Sequence, residues 1–274
     1  MKRTLTLLAI LAAIGPAWGA EVVSSNIVGY HRLTLTKGYN MIGASFQDVG
    51  TANVLTVNDA MSATGLKGED WTYESEDPDG DQMLVWDSGT QMYTTILTYA
   101  GDTYVADMDD YGAEVSTWFD AAAGKTAEDT MANGQAVWIK TAQENATITI
   151  SGEVPTTASD INLGVGFTMI ANPYPKAVAV NDLFTATGLK GEDWTYESEN
   201  PDGDQLLIWN AGTQTYSAIL TWAGDTYIAD MDDYGAEPGK WFDSSVGATA
   251  TTEIPPSGAF WIKTANTGAK ISFK

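Results

Sequence analysis

The chain contains a long internal repeat, and this repeat is the strongest constraint on what it can fold into. Residues 64–114 align without a gap to residues 187–237 at an offset of 123, and 41 of the 51 positions are identical. Upstream, residues 38–42 match residues 166–170 at an offset of 128. A unit of roughly 100 to 130 residues can bury a core of its own, so the repeat indicates tandem domains rather than a solenoid. We predict a first module over residues 21–153 and a second over 154–274.

Short strands separated by turn residues dominate the coarse pattern of each module. Residues 71–75 alternate aromatic and polar side chains, and further strands are expected at 33–36, 39–45, 82–86, 91–99, 103–106, 135–141 and 146–151. Within 91–99, Tyr93, Thr95, Leu97 and Tyr99 are expected on one face. Residues 77–80 and 87–90 have the composition of tight turns. The fold class is therefore predicted to be all-β, with two tandem, meander-rich β-sandwich-like modules.

One short helix is predicted in each module. Asn58 or Asp59 could cap a helix over residues 59–64, and Gly65 would end it. The equivalent helix in the second module covers residues 182–187 and ends at Gly188.

A first candidate metal site is a set of alternating carboxylates in a predicted turn. It comprises Asp77, Asp79 and Asp81 in the first module and Asn200, Asp202 and Asp204 in the second. Oxygen ligands spaced by two on a tight loop suit Ca²⁺. An EF-hand loop would also need Gly at its sixth position and Glu at its twelfth, where Gln82 and Ser88 stand. The Pro-Asp-Gly sequence is itself a sufficient turn signal, so a solvated hairpin turn is the alternative.

A second acidic segment follows in each module. The first contains Asp102, Asp107, Asp109, Asp110 and Glu114, and the second contains Asp225, Asp230, Asp232, Asp233 and Glu237. Five carboxylates in thirteen residues repel one another at neutral pH unless solvent screens them or a cation bridges them. A calcium site and a solvated acidic loop are both open interpretations.

Tryptophan is abundant and suggests a different kind of site. Exposed aromatic rings could stack on sugars. The predicted ligand-binding residues are Trp71 and Trp194, and further candidates are Trp86, Trp118, Trp209 and Trp241. Cysteine-free β-domains of this size also use tryptophan as core. A tandem carbohydrate-binding protein is thus the alternative to a calcium-stabilised one.

Enzymatic functions find little support. His31 is the only histidine and Cys is absent, so neither a Ser-His-Asp nor a Cys-His constellation can be assembled. A carboxylate-based glycosidase stays formally open, but no pair of acidic residues stands out among 36. We therefore expect a protein without catalytic residues.

The N-terminus and the charge indicate an exported protein. Lys2 and Arg3, the apolar residues 5–14 and the small residues up to Ala20 have the pattern of a signal peptide over residues 1–20. Its apolar run is too short to span a bilayer, so no transmembrane anchor is expected. A formal net charge of −23 argues against a nucleic-acid partner and for cation binding.

Three short segments resemble secreted modules without assigned chemistry in environmental Gram-negative bacteria of the verrucomicrobial type. Residues 169–175 read MIANPYP and resemble the pattern GxNLIxNPYP, and residues 254–262 read IPPSGAFWI and resemble IPPGQGFWV. Residues 25–30, SNIVGY, resemble the start of such exported proteins. The first module departs from the pattern at residues 43–46, GASF, and 133–137, NGQAV. The resemblance implies a β-sandwich at the cell exterior and no binding residues.

Together these features predict a secreted or cell-surface, non-enzymatic structural or adhesion protein with Ca²⁺ as its candidate cofactor. The expected partners are cell-surface or matrix components, glycans or further copies of the chain.

Overall fold

The computed structural model describes residues 27–48, 55–69, 80–101, 114–155, 160–192, 203–224 and 237–274. The predicted signal peptide at 1–20 and the predicted strands at 71–75 and 103–106 lie outside these residues. Within the described ranges, no helix is long and apolar enough to cross a membrane.

The first module consists of eleven described strands and one helical turn. They are β1 (Val28–Thr34), β2 (Gly38–Gly43), β3 (Leu55–Thr56), α1 (Val57–Ala60), β4 (Met61–Thr64), β5 (Gln82–Asp87), β6 (Met92–Tyr99), β7 (Trp118–Asp120), β8 (Lys125–Thr126), β9 (Thr130–Met131), β10 (Ala136–Thr141) and β11 (Thr147–Glu153). The predicted all-β class is confirmed.

The second module repeats these elements in the same order. They are β12 (Asp160–Asn162), β13 (Gly166–Ala171), β14 (Val178–Ala179), α2 (Val180–Leu183), β15 (Phe184–Thr187), β16 (Gln205–Asn210), β17 (Thr215–Trp222), β18 (Trp241–Asp243), β19 (Ala248–Thr249), β20 (Glu253–Ile254), β21 (Ala259–Thr264) and β22 (Lys270–Phe273).

Each module contains a six-stranded and a three-stranded antiparallel sheet. The first module has the orders β2-β10-β5-β6-β7-β8 and β1-β11-β4, together with the short pair β3-β9. The second module has β13-β21-β16-β17-β18-β19, β12-β22-β15 and β14-β20. Strands β5 to β8 form the predicted meander, whereas β10 arrives from far along the chain and inserts between β2 and β5.

A hydrophobic core lies between the two sheets of each module. In the first module Ile42, Met83 and Ile139 from the six-stranded sheet pack with Ile148 and Ile150 from the three-stranded sheet, and all five are at most 5 % exposed. The second module has an equivalent core around Ile170, Leu206 and Ile262. Two sheets packed over one core make each module a sandwich.

Part of the outer face of each six-stranded sheet, formed by β2, β10 and β5 or by β13, β21 and β16, is covered by the other module. A third apolar cluster joins them, formed by Met41, Ala136, Trp138, Met169, Ala171, Ala259 and Trp261, with Leu84, Trp86, Phe167, Leu207 and Trp209 at its margin. Because both faces of β10 and β21 are buried, these strands are apolar almost throughout, as AVWIKT and AFWIKT, instead of alternating. The molecule is therefore four sheets deep.

The contacts between the modules occur in equivalent pairs. Trp86 Nε1 donates to Phe167 O at 2.9 Å, and its counterpart Trp209 Nε1 donates to Tyr39 O at 2.9 Å. Gln91 exchanges two hydrogen bonds with the backbone of Phe167, and Gln214 does the same with Tyr39. The two modules are thus related by an approximate two-fold axis.

A β-bulge in β6 brings Tyr93 to the face of Trp86, and the equivalent bulge in β17 brings Tyr216 to the face of Trp209. The register between β5 and β6 shifts after Val85, so that Trp86 pairs with Tyr93 and Thr95 pairs with Val85. Tyr93 consequently packs against Trp86, with ring centroids 5.0 Å apart, while Leu97 and Tyr99 enter the module core. The prediction that Tyr93, Leu97 and Tyr99 share one face is wrong, because a bulge reverses the side-chain alternation.

The helix prediction is wrong in its bounds. The helical turn α1 ends at Ala60, and residues 61–64 form the strand β4. Thr56, rather than Asn58 or Asp59, is the N-cap, since its hydroxyl accepts from Asp59 N at 3.1 Å. The equivalent error occurs in the second module, where residues 184–187 form β15. Pairing of β4 with β11, across a buried Met61, outweighs the local helical pattern.

Candidate functional site

Two of the twelve predicted metal ligands lie among the described residues. They are Asp81 and Asp204, the last members of the two alternating carboxylate sets. The other ten lie outside the described ranges: Asp77, Asp79, Asp107, Asp109, Asp110, Asn200, Asp202, Asp230, Asp232 and Asp233. Metal binding by the complete sets stays a prediction.

Asp81 is a buried carboxylate held by three hydrogen bonds. It is 1 % exposed and precedes β5. Its Oδ2 accepts from Lys67 N at 2.8 Å and from Thr141 Oγ1 at 2.6 Å, and its Oδ1 accepts from Ala142 N at 2.9 Å. Hydrogen bonds of this kind to a charged acceptor are among the stronger ones. Asp81 therefore joins the end of β10 to the chain that leads into the first acidic segment.

Asp204 makes the same three contacts in the second module. Its carboxylate accepts from Lys190 N at 2.8 Å, Thr264 Oγ1 at 2.9 Å and Ala265 N at 2.9 Å, and the residue is 2 % exposed. The sequence identified both residues as carboxylates of interest, and the structure gives both a structural role within their own modules.

A second buried acid, Glu69, bonds to Gly80 and so joins the described residues on either side of positions 70–79. Glu69 is 4 % exposed, and its Oε2 accepts from Gly80 N at 2.7 Å. Gly80 has no room for a side chain, since a Cβ there would lie 2.6 Å from Glu69 N. Glu192 and Gly203 repeat this contact at 2.7 Å. Sequence reasoning did not single out these glutamates, because nothing separates them from the many exposed acids around them.

The second acidic segment starts beside the first. Glu69 N donates to Tyr99 O at 2.7 Å, and Ala100 pairs with Thr117 and Ser116 on the far side of residues 102–113. Gly68 and Gly101 lie so close that a Cβ on Gly68 would be 2.4 Å from Gly101 Cα. The ends of both segments therefore meet at one place, which we call the loop junction and define by Gly68, Glu69, Gly80, Asp81 and Gly101.

The second module contains an equivalent loop junction at Gly191, Glu192, Gly203, Asp204 and Gly224. The two glycines at each close approach explain why an otherwise polar sequence carries Gly at these positions. Among the described residues, no group of three Asp, Glu or His side chains is gathered tightly enough to hold a metal ion. The junction joins the described ends of the two acidic segments, and its own carboxylates are engaged in hydrogen bonds.

Every tryptophan that the structure describes contributes to packing. Trp118 and Trp241 are 1 % exposed in the module cores, and Trp138 and Trp261 are 6 % and 5 % exposed between the modules. Trp86, Trp209 and Trp222 are half-buried. Trp71 and Trp194, the predicted ligand-binding residues, lie outside the described ranges, so the sugar platform built on them stays a prediction.

His31, the single histidine, lies on β1 opposite Ile150. Partial burial lowers the pKa of His31 below its usual value of 6.5, because desolvation disfavours the charged imidazolium. His31 belongs to the three-stranded sheet and lies far in sequence from the residues of the loop junction.

Known proteins give no further indication of the function of this site. No family model matches the chain, and no similar protein is found among curated proteins or among solved structures.

Proposed function

We propose that this chain is an exported, non-enzymatic structural or adhesion protein whose acidic segments bind Ca²⁺. The observation that carries the proposal is the loop junction, where the ends of two acidic segments that are separate in sequence lie side by side. Each module has one such junction, and the contacts of Asp81 and Glu69 recur at Asp204 and Glu192.

The chemistry of calcium supports this proposal. Ca²⁺ takes six to eight oxygen ligands from carboxylates, carbonyls and water on flexible loops, and two neighbouring acidic segments can contribute them together. Two segments anchored at one junction can supply carboxylates to a common ion, and a chain with 36 acidic and 13 basic residues gains from neutralising them. Asp81 and Asp204 would serve as fixed anchor points rather than as principal ligands.

The packing of the modules supports a structural role. Their shared cluster of Met, Trp and Ala side chains, and the paired hydrogen bonds of Trp86 and Trp209, join two sandwiches into one body. Such a body displays its loop junctions at fixed positions, as a component of a surface layer or an adhesive contact requires. Cell-surface or matrix components, glycans and further copies of the chain are the proposed partners.

Calcium binding is tested on the mature chain by thermal unfolding with millimolar CaCl₂ and with EDTA. Binding at a hundred times Kd adds about 2.7 kcal/mol to the free energy of unfolding, which corresponds to a rise of several degrees in Tm for a chain of this length. The variant Asp107→Asn/Asp109→Asn/Asp110→Asn should lose about half of that rise, and its counterpart Asp230→Asn/Asp232→Asn/Asp233→Asn should lose the same amount.

Asp59→Asn, an exposed change away from both junctions, provides the control and should keep the full rise. A Tm that is identical in CaCl₂ and EDTA would refute the calcium part of the proposal. The structural part is tested separately by sedimentation velocity, where calcium should shift the protein towards larger species. A protein that sediments as a monomer under every calcium concentration, and that adheres to no cell envelope fraction, would refute the structural part.

A further inference from the structure

Two clefts lie where the modules meet, and the approximate two-fold axis relates one to the other. Cleft A lies between Trp86, Asn133 and Gln135 of the first module and Asp160, Asn162 and Thr168 of the second, with a volume of about 540 Å³. Cleft B lies at the equivalent place, between Trp209 and Pro256 of the second module and Thr34 and Asn40 of the first, with about 200 Å³. The same architecture has therefore produced one roomy cleft and one small one.

The residues before β10 and β21 differ between the two clefts. Cleft A is bounded by Ala132 and Asn133, and cleft B is bounded by the equivalent Pro255 and Pro256. Cleft A reaches a volume typical of small-molecule binding sites, whereas cleft B is below that range.

Polar side chains also concentrate in cleft A. Ser88, Asn133 and Gln135 line it, and the equivalent residues of cleft B are Ala211, Pro256 and Gly258. Divergence between the two copies has thus placed hydrogen-bonding groups on one side of the molecule.

Thr168 carries a hydroxyl without a partner in the wall of cleft A. It is 5 % exposed, and its Oγ1 has no hydrogen-bond partner among the described residues. The equivalent residue in cleft B is Asn40, whose side chain is saturated, since it accepts from Thr36 N at 2.9 Å and donates to Thr36 O at 2.7 Å. A buried hydroxyl left unpaired costs free energy. The Thr168 Oγ1 is covered by protein, so a ligand hydroxyl in cleft A would provide the missing partner once the Thr168 side chain turns towards it.

The remaining groups of cleft A define the class of ligand. Trp86, Met131 and Met169 give apolar surface, while Asn162 offers an exposed amide. The Asp160 carboxylate also lines the cleft, forms an ion pair with Lys270 and can accept from hydroxyl donors. An apolar wall with amide, hydroxyl and carboxylate groups suits a neutral polyhydroxylated molecule, and the strong negative charge of the chain disfavours an anion.

We propose that cleft A binds a neutral saccharide, a mono- or disaccharide unit, at one site per chain. This site goes beyond the calcium-dependent role proposed above and does not depend on it, because none of its lining residues belongs to a loop junction. It also differs from a sugar platform on Trp71 and Trp194, which would give two equivalent sites per chain.

The test is isothermal titration calorimetry of the mature chain with maltose, cellobiose, lactose and N,N′-diacetylchitobiose at millimolar concentrations, in EDTA so that calcium plays no part. At least one sugar should bind with a stoichiometry of one. Thr168→Val removes the hydroxyl at constant shape and should weaken that binding at least tenfold. Asn162→Ala, an exposed change in the same cleft, should also weaken it at least tenfold.

The matched control is Thr34→Ala, which alters the position in cleft B that corresponds to Asn162, and it should change Kd by less than twofold. Thermal unfolding should show each variant folded, and Thr168→Val should be at least as stable as the parent because its valine leaves no unpaired hydroxyl. Any of three results would overturn the proposal: no binding of any of the four sugars, two sites per chain, or affinity unchanged in both cleft A variants. The last result would assign the Thr168 hydroxyl to a buried water instead.

Discussion

The first and second modules differ at several positions where they touch each other. Residues 64–114 and 187–237 are nearly identical, yet the segments on the two-fold axis have diverged. Gly43 faces its own equivalent, Ala171, and a Cβ on Gly43 would lie 1.9 Å from the Cβ of Ala171. Ser45 bonds to Ser257 at 2.7 Å, whereas the equivalent pair in the other direction is Pro173 and Gly134.

When two copies are fused into one chain, equivalent positions at their contact can be substituted independently. In a symmetric dimer a residue on the axis meets itself, so every substitution there occurs twice. In the fused chain the two positions change independently, and one alanine opposite one glycine fills a space that two alanines could not share. The unequal clefts A and B show the same freedom further from the axis.

The largest loss of stability is expected from Gly43→Ala, on the two-fold axis. It forces two methyl groups together and brings the new Cβ within 2.7 Å of Gln135 O, so we expect a loss of about 3 kcal/mol in the free energy of unfolding. Urea denaturation measures the loss. The exchanged pair Gly43→Ala/Ala171→Gly should recover a large part of it, because it restores one methyl on the axis. Losses that simply add would show that the two positions do not interact.

The next largest effect is expected at the loop junctions. Asp81→Asn replaces one acceptor oxygen by an amide donor that must face one of three donors, at a cost of about 1–3 kcal/mol. Asp204→Asn should cost the same. Calorimetry of each variant then compares the modules: one shared transition at lower temperature indicates that the interface couples them, and two separate transitions would contradict the single body described above.

A smaller effect is expected from the paired glutamines. Gln91→Ala removes two hydrogen bonds to Phe167, and Gln214→Ala removes two to Tyr39. Each should cost about 1–2 kcal/mol, and equal costs would show that the two halves of the interface contribute equally. Thr90→Ala and Thr213→Ala, in the adjoining turns, serve as controls. A loss of stability in only one of the two glutamine variants would show that the two halves of the interface contribute unequally.

The smallest effect concerns the first module alone, since His31 has no histidine counterpart in the second. Its pKa is lowered by partial burial, so the unfolded chain binds more protons between that lowered pKa and about 6.5. Stability should therefore rise with pH through this window, and His31→Ser should flatten that part of the curve. Free energies of unfolding from about pH 5 to pH 8 check this, with Tyr30→Ser as the neighbouring control. Identical slopes in parent and variant would contradict it.

Much of the fold could be predicted from local pattern. The strands at 39–45, 82–86, 91–99, 135–141 and 146–151 were expected and are observed within one or two residues at most ends. Turn chemistry predicted residues 87–90 correctly, and Asp87 stabilises that turn by accepting from Gly89 and Thr90. The helix at 59–64 was wrong because pairing between β4 and β11, distant in sequence, overrides local preference.

The candidate site was only partly predictable. Acidic alternation identified Asp81 and Asp204, yet the pattern could not distinguish a buried carboxylate from an exposed one. Glu69 was missed because its burial depends on the approach of Gly68 to Gly101, which are far apart in the chain. Cleft A could not be predicted at all, since its walls come from both modules.

The duplication, the all-β class and the positions of most strands could be predicted from sequence patterns, because these depend on identity between copies, two-residue alternation and turn residues. Three features are visible only in the folded structure. They are the face that each sheet buries, the junction that two loop ends share, and the packing of the modules about an approximate two-fold axis. These features arise from contacts between residues that are not neighbours in the chain, such as Thr141 with Asp81 and Trp86 with Phe167, and local pattern carries no record of such contacts.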